Sequence, residues 1–282
     1  MVAWLAVVLA VNLAVQACAV PVIAEPVPQL PERIRAAGTL VIGTYPNYPP
    51  IVYKNPHTMQ LIGFDIELGE AIAAELGLRV EWSEVSFAQM IPSLKTGRID
   101  MVMAFMADTP KRRATLDFVD YLRSEAVVLV RKNESMVGGL DDLCGKRVGA
   151  SRSTTWPADL AAWSAQACEG KGRPPVDVVG TEGSFDARMQ VKMGRLDGAL
   201  LGSETIGYFD MMTPSVFRPV GAPFAPRLVG MPFLKTPEGT ALRDCVKRAL
   251  DGLQASGVYD RLVAKHKLER GAIRPITING GT

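Results

Sequence analysis

One repeated segment limits what this chain can fold into: Lys95-Thr96-Gly97-Arg98-Ile99-Asp100 returns as Lys192-Met193-Gly194-Arg195-Leu196-Asp197. Each copy lies between an amphipathic helical pattern and an apolar run. Ser86 and Ser184 open the two helices as N-cap residues, with Gln89 completing a capping box in the first. Gly97 and Gly194 stop them. The following strands, Met101 to Ala104 and Gly198 to Leu201, are nearly all apolar, as strands covered on both faces must be. So short an echo also fits an ordinary helix-to-strand turn, but its matched context argues for two halves built on one unit.

The alternation continues along the chain. Leu40 to Gly43 reads as a buried strand. Asp65 to Leu76 reads as a helix with Ile66, Ile72, Ala73 and Leu76 inward and Glu67, Glu70 and Glu75 outward, ended by Gly77. Leu78 to Trp82 alternates with period two. Val127 to Val130 and Arg147 to Ala150 are further strands, and Glu238 to Leu253 and Val258 to Lys265 are closing helices. The pattern predicts an α/β protein of two lobes, each a mostly parallel sheet flanked by helices. The lobes join through segments near Ser124 to Val128 and Phe217 to Ala222. The expected division is 25–126 with 221–282 for the first lobe and 127–220 for the second. Ligands of such sheets bind beyond the carboxyl ends of the strands, which directs attention to the cleft.

Composition narrows the function. At 282 residues and 48% hydrophobic, the chain can bury one or two cores. Lys plus Arg (31) against Asp plus Glu (29) leaves no nucleic-acid footprint. With two histidines, His57 and His266, and four scattered cysteines, zinc sites and Cys/His or Ser/His nucleophile pairs are poorly supported, and no cofactor is expected.

Residues 1–24 carry no charged side chain and are mostly apolar, which marks an export segment. Ala17-Cys18-Ala19 and Val22-Ile23-Ala24 are two small-residue cleavage sites. A retained anchor and lipidation of Cys18 are open alternatives, although Gln16 makes a poor lipoprotein box. The mature chain is expected outside the cytoplasm, where conditions are oxidising, and Cys144 and Cys168 bracket a polar-rich stretch as the expected disulfide pair. Cys245 sits in a helical pattern as a buried thiol.

The segments after the strands carry the candidate site. Thr109 followed by Pro110 is an N-cap with proline at the first helical position, yet the opening turn carries Lys111, Arg112 and Arg113, where the helix dipole disfavours cations. Such a violation is expected where function imposes it: free N–H groups plus one guanidinium form a receptor for a carboxylate. The plain alternative is three solvated cations balanced by Asp108, Asp117 and Asp120. Ser151-Arg152-Ser153-Thr154-Thr155-Trp156-Pro157 follows another strand, and its hydroxyls and N–H groups suit the same anion or an ordinary helix entry with Thr155 as cap. Glu204 follows the second echoed strand and is a candidate to face the cleft. Tyr45, Tyr48, Phe87, Phe105 and Trp156 collect at predicted loop or helix-start positions and suggest a pocket that stacks on an organic ligand.

Gly63-Phe64-Asp65-Ile66-Glu67-Leu68, Ile91-Pro92-Ser93-Leu94, the Lys-x-Gly-Arg-x-Asp step and Thr109-Pro110-Lys111-Arg112 through Asp117-Phe118 together resemble, in order and spacing, the family 3 bacterial extracellular solute-binding proteins. The resemblance covers essentially everything after the export segment. It implies the type II periplasmic-binding fold closing over a ligand, with Arg112 on the α-carboxylate, Thr109, Thr154 and Thr155 assisting, and Tyr48 and Phe87 flanking. It also implies a Cys144–Cys168 disulfide, as in part of the family. Several departures accompany it. Ala104, Phe105 and Ala107 replace small or serine positions, so hydrogen bonds are lost and the pocket narrows. Gly202 stands where many relatives hold the α-ammonium with Asp, leaving Glu204 as a substitute or the ligand without an ammonium. Tyr45, where receptors for basic amino acids can carry an acid, points away from lysine or arginine, and Asp120-Tyr121 lacks the intervening proline.

The expected function is a periplasmic, monomeric, non-catalytic receptor that captures an amino acid or related carboxylate and delivers it to an inner-membrane ABC permease. The main alternative is a periplasmic enzyme on the same fold resembling cyclohexadienyl or arogenate dehydratases, with Glu204 or Asp108 as general acid. A third reading is a separate partner of a membrane sensor kinase.

Overall fold

The computed structural model describes residues 28–281, so the export segment, with its cleavage sites and Cys18, lies outside the described residues. Among the described residues no helix is long and apolar enough to cross a membrane.

The echoed segment has a structural cause. In each copy the aspartate sits at the edge of a parallel strand pair and makes the same two bonds. The Asp100 N–H donates to the Val41 carbonyl at 2.8 Å while the Val41 N–H donates to Asp100 Oδ2 at 2.8 Å. The Asp197 N–H donates to the Arg147 carbonyl at 2.8 Å while the Arg147 N–H donates to Asp197 Oδ2 at 2.8 Å. The repeated glycines, Gly97 (φ +70°) and Gly194 (φ +74°), take the left-handed conformation that ends each helix. The apolar residue of the motif then packs on a glycine of the neighbouring strand: a Cβ on Gly43 would meet Ile99 Cδ1 at 2.4 Å, and one on Gly149 would meet Leu196 Cδ1 at 2.6 Å.

Around each copy stand three parallel strands. In the first half Thr39–Thr44 lies between Arg79–Glu84 and Met101–Val102. In the second half Arg147–Ser151 lies between Asp177–Thr181 and Gly198–Gly202. The expectation of mostly parallel sheets needs correction beyond this, because the second sheet is mixed. Val127 to Val130 is not a separate strand reached by a helical crossover. It is the end of one long strand, Leu116–Arg131, that arrives directly from the first half and therefore meets Gly198–Gly202 antiparallel. A second long strand, Phe217–Leu234, returns antiparallel along it, pairing Phe217 with Arg131 at one end and Leu234 with Leu116 at the other. Register shifts between Val220 and Phe224 and between Phe224 and Arg227 mark where this ribbon passes from one half to the other. Ala225 there adopts φ +48°.

The cores follow the same division. Leu40, Ile42, Phe64, Leu68 and Ile72 are buried in the first half with Leu242, Val246 and Leu250 from the closing helix Pro237–Ala255. That helix starts with Thr236 Oγ1 accepting from the Gly239 N–H at 3.1 Å and proline at the first position. Val128, Val130, Val148, Leu160 and Leu200 form one cluster of the second half, and Ala187, Val191, Leu196 and Leu201 another. Cys245 is a buried free thiol.

Local expectations failed at some helix starts. Neither Ser86 nor Ser184 caps through its side chain, and no capping box forms with Gln89. A 3-10 turn, Phe87–Gln89, precedes the helix Met90–Lys95, while Gly183 occupies the second N-cap position and frees Ser184 Oγ to donate to the Asn47 carbonyl at 3.3 Å. The strand expected to Ala104 ends at Val102 because Phe105 turns the chain at φ +52°.

Cys144 and Cys168 are joined by a disulfide across 24 positions, with Cys168 inside the second core. Closing a loop of that size stabilises the fold by about 3 kcal/mol in the chain-entropy model. Replacing both cysteines by serine is therefore expected to lower the denaturation free energy by about that amount in urea titrations. A loss below about 0.5 kcal/mol would contradict this account.

Candidate functional site

The cleft between the halves holds a pocket enclosing about 720 Å³ of space, open solvent at its mouth included. Of the residues singled out in the sequence, Tyr45, Tyr48, Phe87, Phe105, Ala107, Arg112, Ser151, Thr154, Thr155 and Trp156 meet in its lining. Thr109 and Glu204 do not line it.

Thr109 acts one step back. Its Oγ1 accepts from the Arg112 N–H at 3.3 Å and so fixes the turn Pro110–Arg113. That helix is a single turn, too short for a dipole of consequence, and the placement of Arg112 rests on side-chain contacts instead. Its Nη1 donates to the Ala107 carbonyl at 2.8 Å, and its guanidinium carbon lies 5.8 Å from the Phe87 ring centre. Burial and the charge of nearby Arg227 bring its pKa down to about 10, with Asp108 opposing, so it remains a cation at neutral pH. The three consecutive cations part company: Lys111 is exposed, and Arg113 donates to the Asn279 carbonyl at 2.6 Å and sits 3.4 Å from Asp108. Of these three, Arg112 alone lines the pocket.

The opposite wall is built by the segment after strand Arg147–Ser151. Thr154 Oγ1 donates to the Ser151 carbonyl at 2.7 Å and accepts from the Trp156 N–H at 3.2 Å, so Thr154 and not Thr155 serves the start of helix Trp156–Ala167. Thr155 Oγ1 instead accepts from Arg227. Arg227 pairs with Asp159 at 2.6 Å and lies with its guanidinium carbon 4.7 Å from the Trp156 ring centre. Sequence reasoning missed Arg227, along with Asn47, Gly183, Ser184, Leu200, Leu201 and Val229 of the lining. The isolated arginine in Phe224-Ala225-Pro226-Arg227 carried no local signal.

The expectation that Glu204 faces the ligand is corrected. The Tyr48 hydroxyl donates to Glu204 Oε1 and accepts from the Gly202 N–H at 3.1 Å, while Ser124 Oγ donates to Glu204 Oε2 at 2.7 Å. Both carboxylate oxygens are thus engaged, and burial pushes the Glu204 carboxyl above its ordinary pKa while these bonds hold it down. A Cβ on Gly202 would stand 1.8 Å from Glu204 Oε1, so a side chain there would have to displace the Glu204 carboxylate from this position. Tyr48 comes from the first half and Glu204 from the second, and the Tyr53 and Tyr208 rings meet edge to face at 5.4 Å, so the halves touch directly.

Beneath the pocket floor, Asp65 is fully buried and its Oδ1 accepts from the Tyr121 hydroxyl at 2.8 Å. Tyr121 supports Phe105 edge-on at 6.4 Å.

This architecture, two α/β lobes around a cleft lined by the Arg112 and Arg227 guanidiniums, defines a solute-binding receptor. The chain belongs to the bacterial extracellular solute-binding proteins, family 3, whose model matches residues 40–269. It is 27% identical over 251 residues to the histidine-binding periplasmic protein of Escherichia coli, covering 84% of this chain and 88% of that one. The solved structure of an ancestral arginine-binding protein bound to arginine superposes with TM-score 0.72 at 29% identity, covering 81% of this chain and 97% of that one. The ancestral amino acid-binding protein AncCDT-1, a precursor of cyclohexadienyl dehydratase, superposes with TM-score 0.68 at 28% identity, covering 83% and 96%.

Burial raises the Asp65 carboxyl from 3.8 to about 7, against the Tyr121 bond that lowers it. The folded chain therefore keeps this proton where the unfolded chain has released it. Its contribution is fully present below about pH 4 and lost as pH rises to about 7. Asp65→Asn is expected to weaken the decline of melting temperature over that window and to exceed the parent protein in stability at higher pH. A difference between the two proteins that does not vary with pH would contradict the assignment.

Proposed function

We propose that the protein is the solute-capturing component of an ABC transporter, working as a monomer in the periplasm after removal of its export segment. It binds an amino acid or related small carboxylate between lobes divided at 25–126 with 221–282 and 127–220, and hands it to an inner-membrane permease. Two lobes joined by two strands suit such a task, because a ligand that touches both favours the closed form and so reports occupancy as shape.

The observation that carries this reading is the Arg112 guanidinium: half-buried, lining the cleft, and met there by a neutral carbonyl rather than a carboxylate. A cation drawn out of solvent is normally paired, and a ligand carboxylate completes this one through the fork geometry of arginine. Thr154 and Thr155 border the same space, and Tyr48, Phe87 and Trp156 supply apolar faces for the ligand body. The binding reading is favoured over the dehydratase alternative because the two acids named for catalysis are engaged elsewhere. Glu204 serves Tyr48 and Ser124, and Asp108 Oδ2 accepts from the Gly281 N–H at 2.8 Å.

A thermal-shift screen over amino acids, opines and small organic acids should reveal ligands, since binding to the native state raises the melting temperature. For any ligand found, Arg112→Ala is expected to weaken calorimetric affinity by about a hundredfold or more, as loss of a charge-assisted pair implies, with the melting temperature nearly unchanged. Undiminished affinity in that variant would refute the proposal.

A further inference from the structure

The polar groups of the cleft are unevenly divided between donors and acceptors. Two guanidiniums, Arg112 and Arg227, contribute to the lining, and among the described residues no acidic side chain does. Asp159 offsets Arg227 from behind, whereas the Arg112 bond is to a neutral carbonyl. The acceptors at the strand ends each already hold a donor, and none of them carries a charge. The Ala107 carbonyl receives Arg112, the Ser151 carbonyl receives both the Thr154 hydroxyl and its N–H, and Thr155 Oγ1 receives Arg227. The Gly202 carbonyl receives the Thr205 hydroxyl at 2.8 Å. Position 202, a glycine, brings no carboxylate, and the space beside it holds the Glu204 carboxylate already bonded to Tyr48 and Ser124.

An α-amino acid brings two charges into such a site. Its carboxylate finds Arg112, but its ammonium meets two cations and no free acid. Burying a cation without a partner is costly, and like charges add repulsion in a medium of low dielectric constant. Most of the remaining wall is apolar, with Phe87, Phe105, Trp156, Leu200 and Val229, and its other polar groups, on Tyr45, Asn47, Ser151 and Ser184, are uncharged. We propose that the preferred ligand is an organic acid without an ammonium group, a carboxylate on a compact aromatic or branched aliphatic body such as a keto acid or a desamino acid. This rests on the reading of the cleft as a carboxylate receptor and narrows it. It also separates this chain from the relative described as histidine-binding and the structure bound to arginine, since both of those ligands carry an α-ammonium.

The test is calorimetry on protein stripped of co-purified ligand by unfolding and refolding, with probes that differ at the ammonium: phenylpyruvate and phenylpropionate against phenylalanine, and ketoleucine against leucine, with arginine and histidine added. The acids lacking the ammonium are expected to bind at least about tenfold more tightly than their amino acid counterparts, the minimum effect of an unpaired buried charge. Arginine and histidine are expected to give no measurable heat. Repeating each binding probe on Arg112→Met separates the two readings. An amino acid that binds as tightly as its desamino partner, and loses that affinity in the variant, would overturn the ligand class and leave the carboxylate receptor standing. Silence from every probe would overturn both.

Discussion

One half-buried charge, the Arg112 guanidinium, organises the cleft. Arg112 is drawn from solvent into the cleft by a one-turn helix that Thr109 holds and by the Ala107 carbonyl, a neutral acceptor that orients the guanidinium without cancelling its charge. A carboxylate in that position would have neutralised the site. Asp108, the adjacent acid, is directed away to Arg113 and the Gly281 N–H, and so it helps hold the segment without occupying the pocket. The cation is kept available by the way its neighbours are used.

Behind that charge stand two copies of one structural device. An aspartate exchanges two hydrogen bonds with the central strand of its parallel triplet, and the apolar residue before it seats on a glycine in that strand. Asp100, Ile99 and Gly43 do this in one half, and Asp197, Leu196 and Gly149 in the other. Buried backbone groups must find partners, and the aspartate supplies one where the next strand has not yet begun. Both strand ends then point into the same cleft, from opposite sides.

Much of this was legible in the sequence, because it depends on local chemistry. The repeated Lys-x-Gly-Arg-x-Asp step, Thr109 followed by Pro110, and the apolar runs each report a conformation within a few residues. What the sequence concealed was pairing over long distances. Arg227 reaches the pocket only because Phe217–Leu234 runs back along Leu116–Arg131, setting Arg227 opposite Ser124. Glu204 seemed free because its partners, Tyr48 and Ser124, lie far away in the chain. The burial of Asp65 was equally hidden, because its partner Tyr121 lies far along the chain. Capping also misled, since Ser184 and Thr155 found partners across the molecule in place of their own helix starts.

The same long-range contacts let the halves meet directly. Tyr48 to Glu204, Asn47 to Ser184 and Tyr53 to Tyr208 close the cleft around a space that a ligand would share with them. The most direct measurement is a crystal structure of the protein with its tightest-binding acid. The account predicts both carboxylate oxygens within hydrogen-bond distance, about 3 Å, of the Arg112 guanidinium, with the organic body between Phe87 and Trp156. A bound acid anchored elsewhere, with Arg112 still meeting only the Ala107 carbonyl, would contradict it.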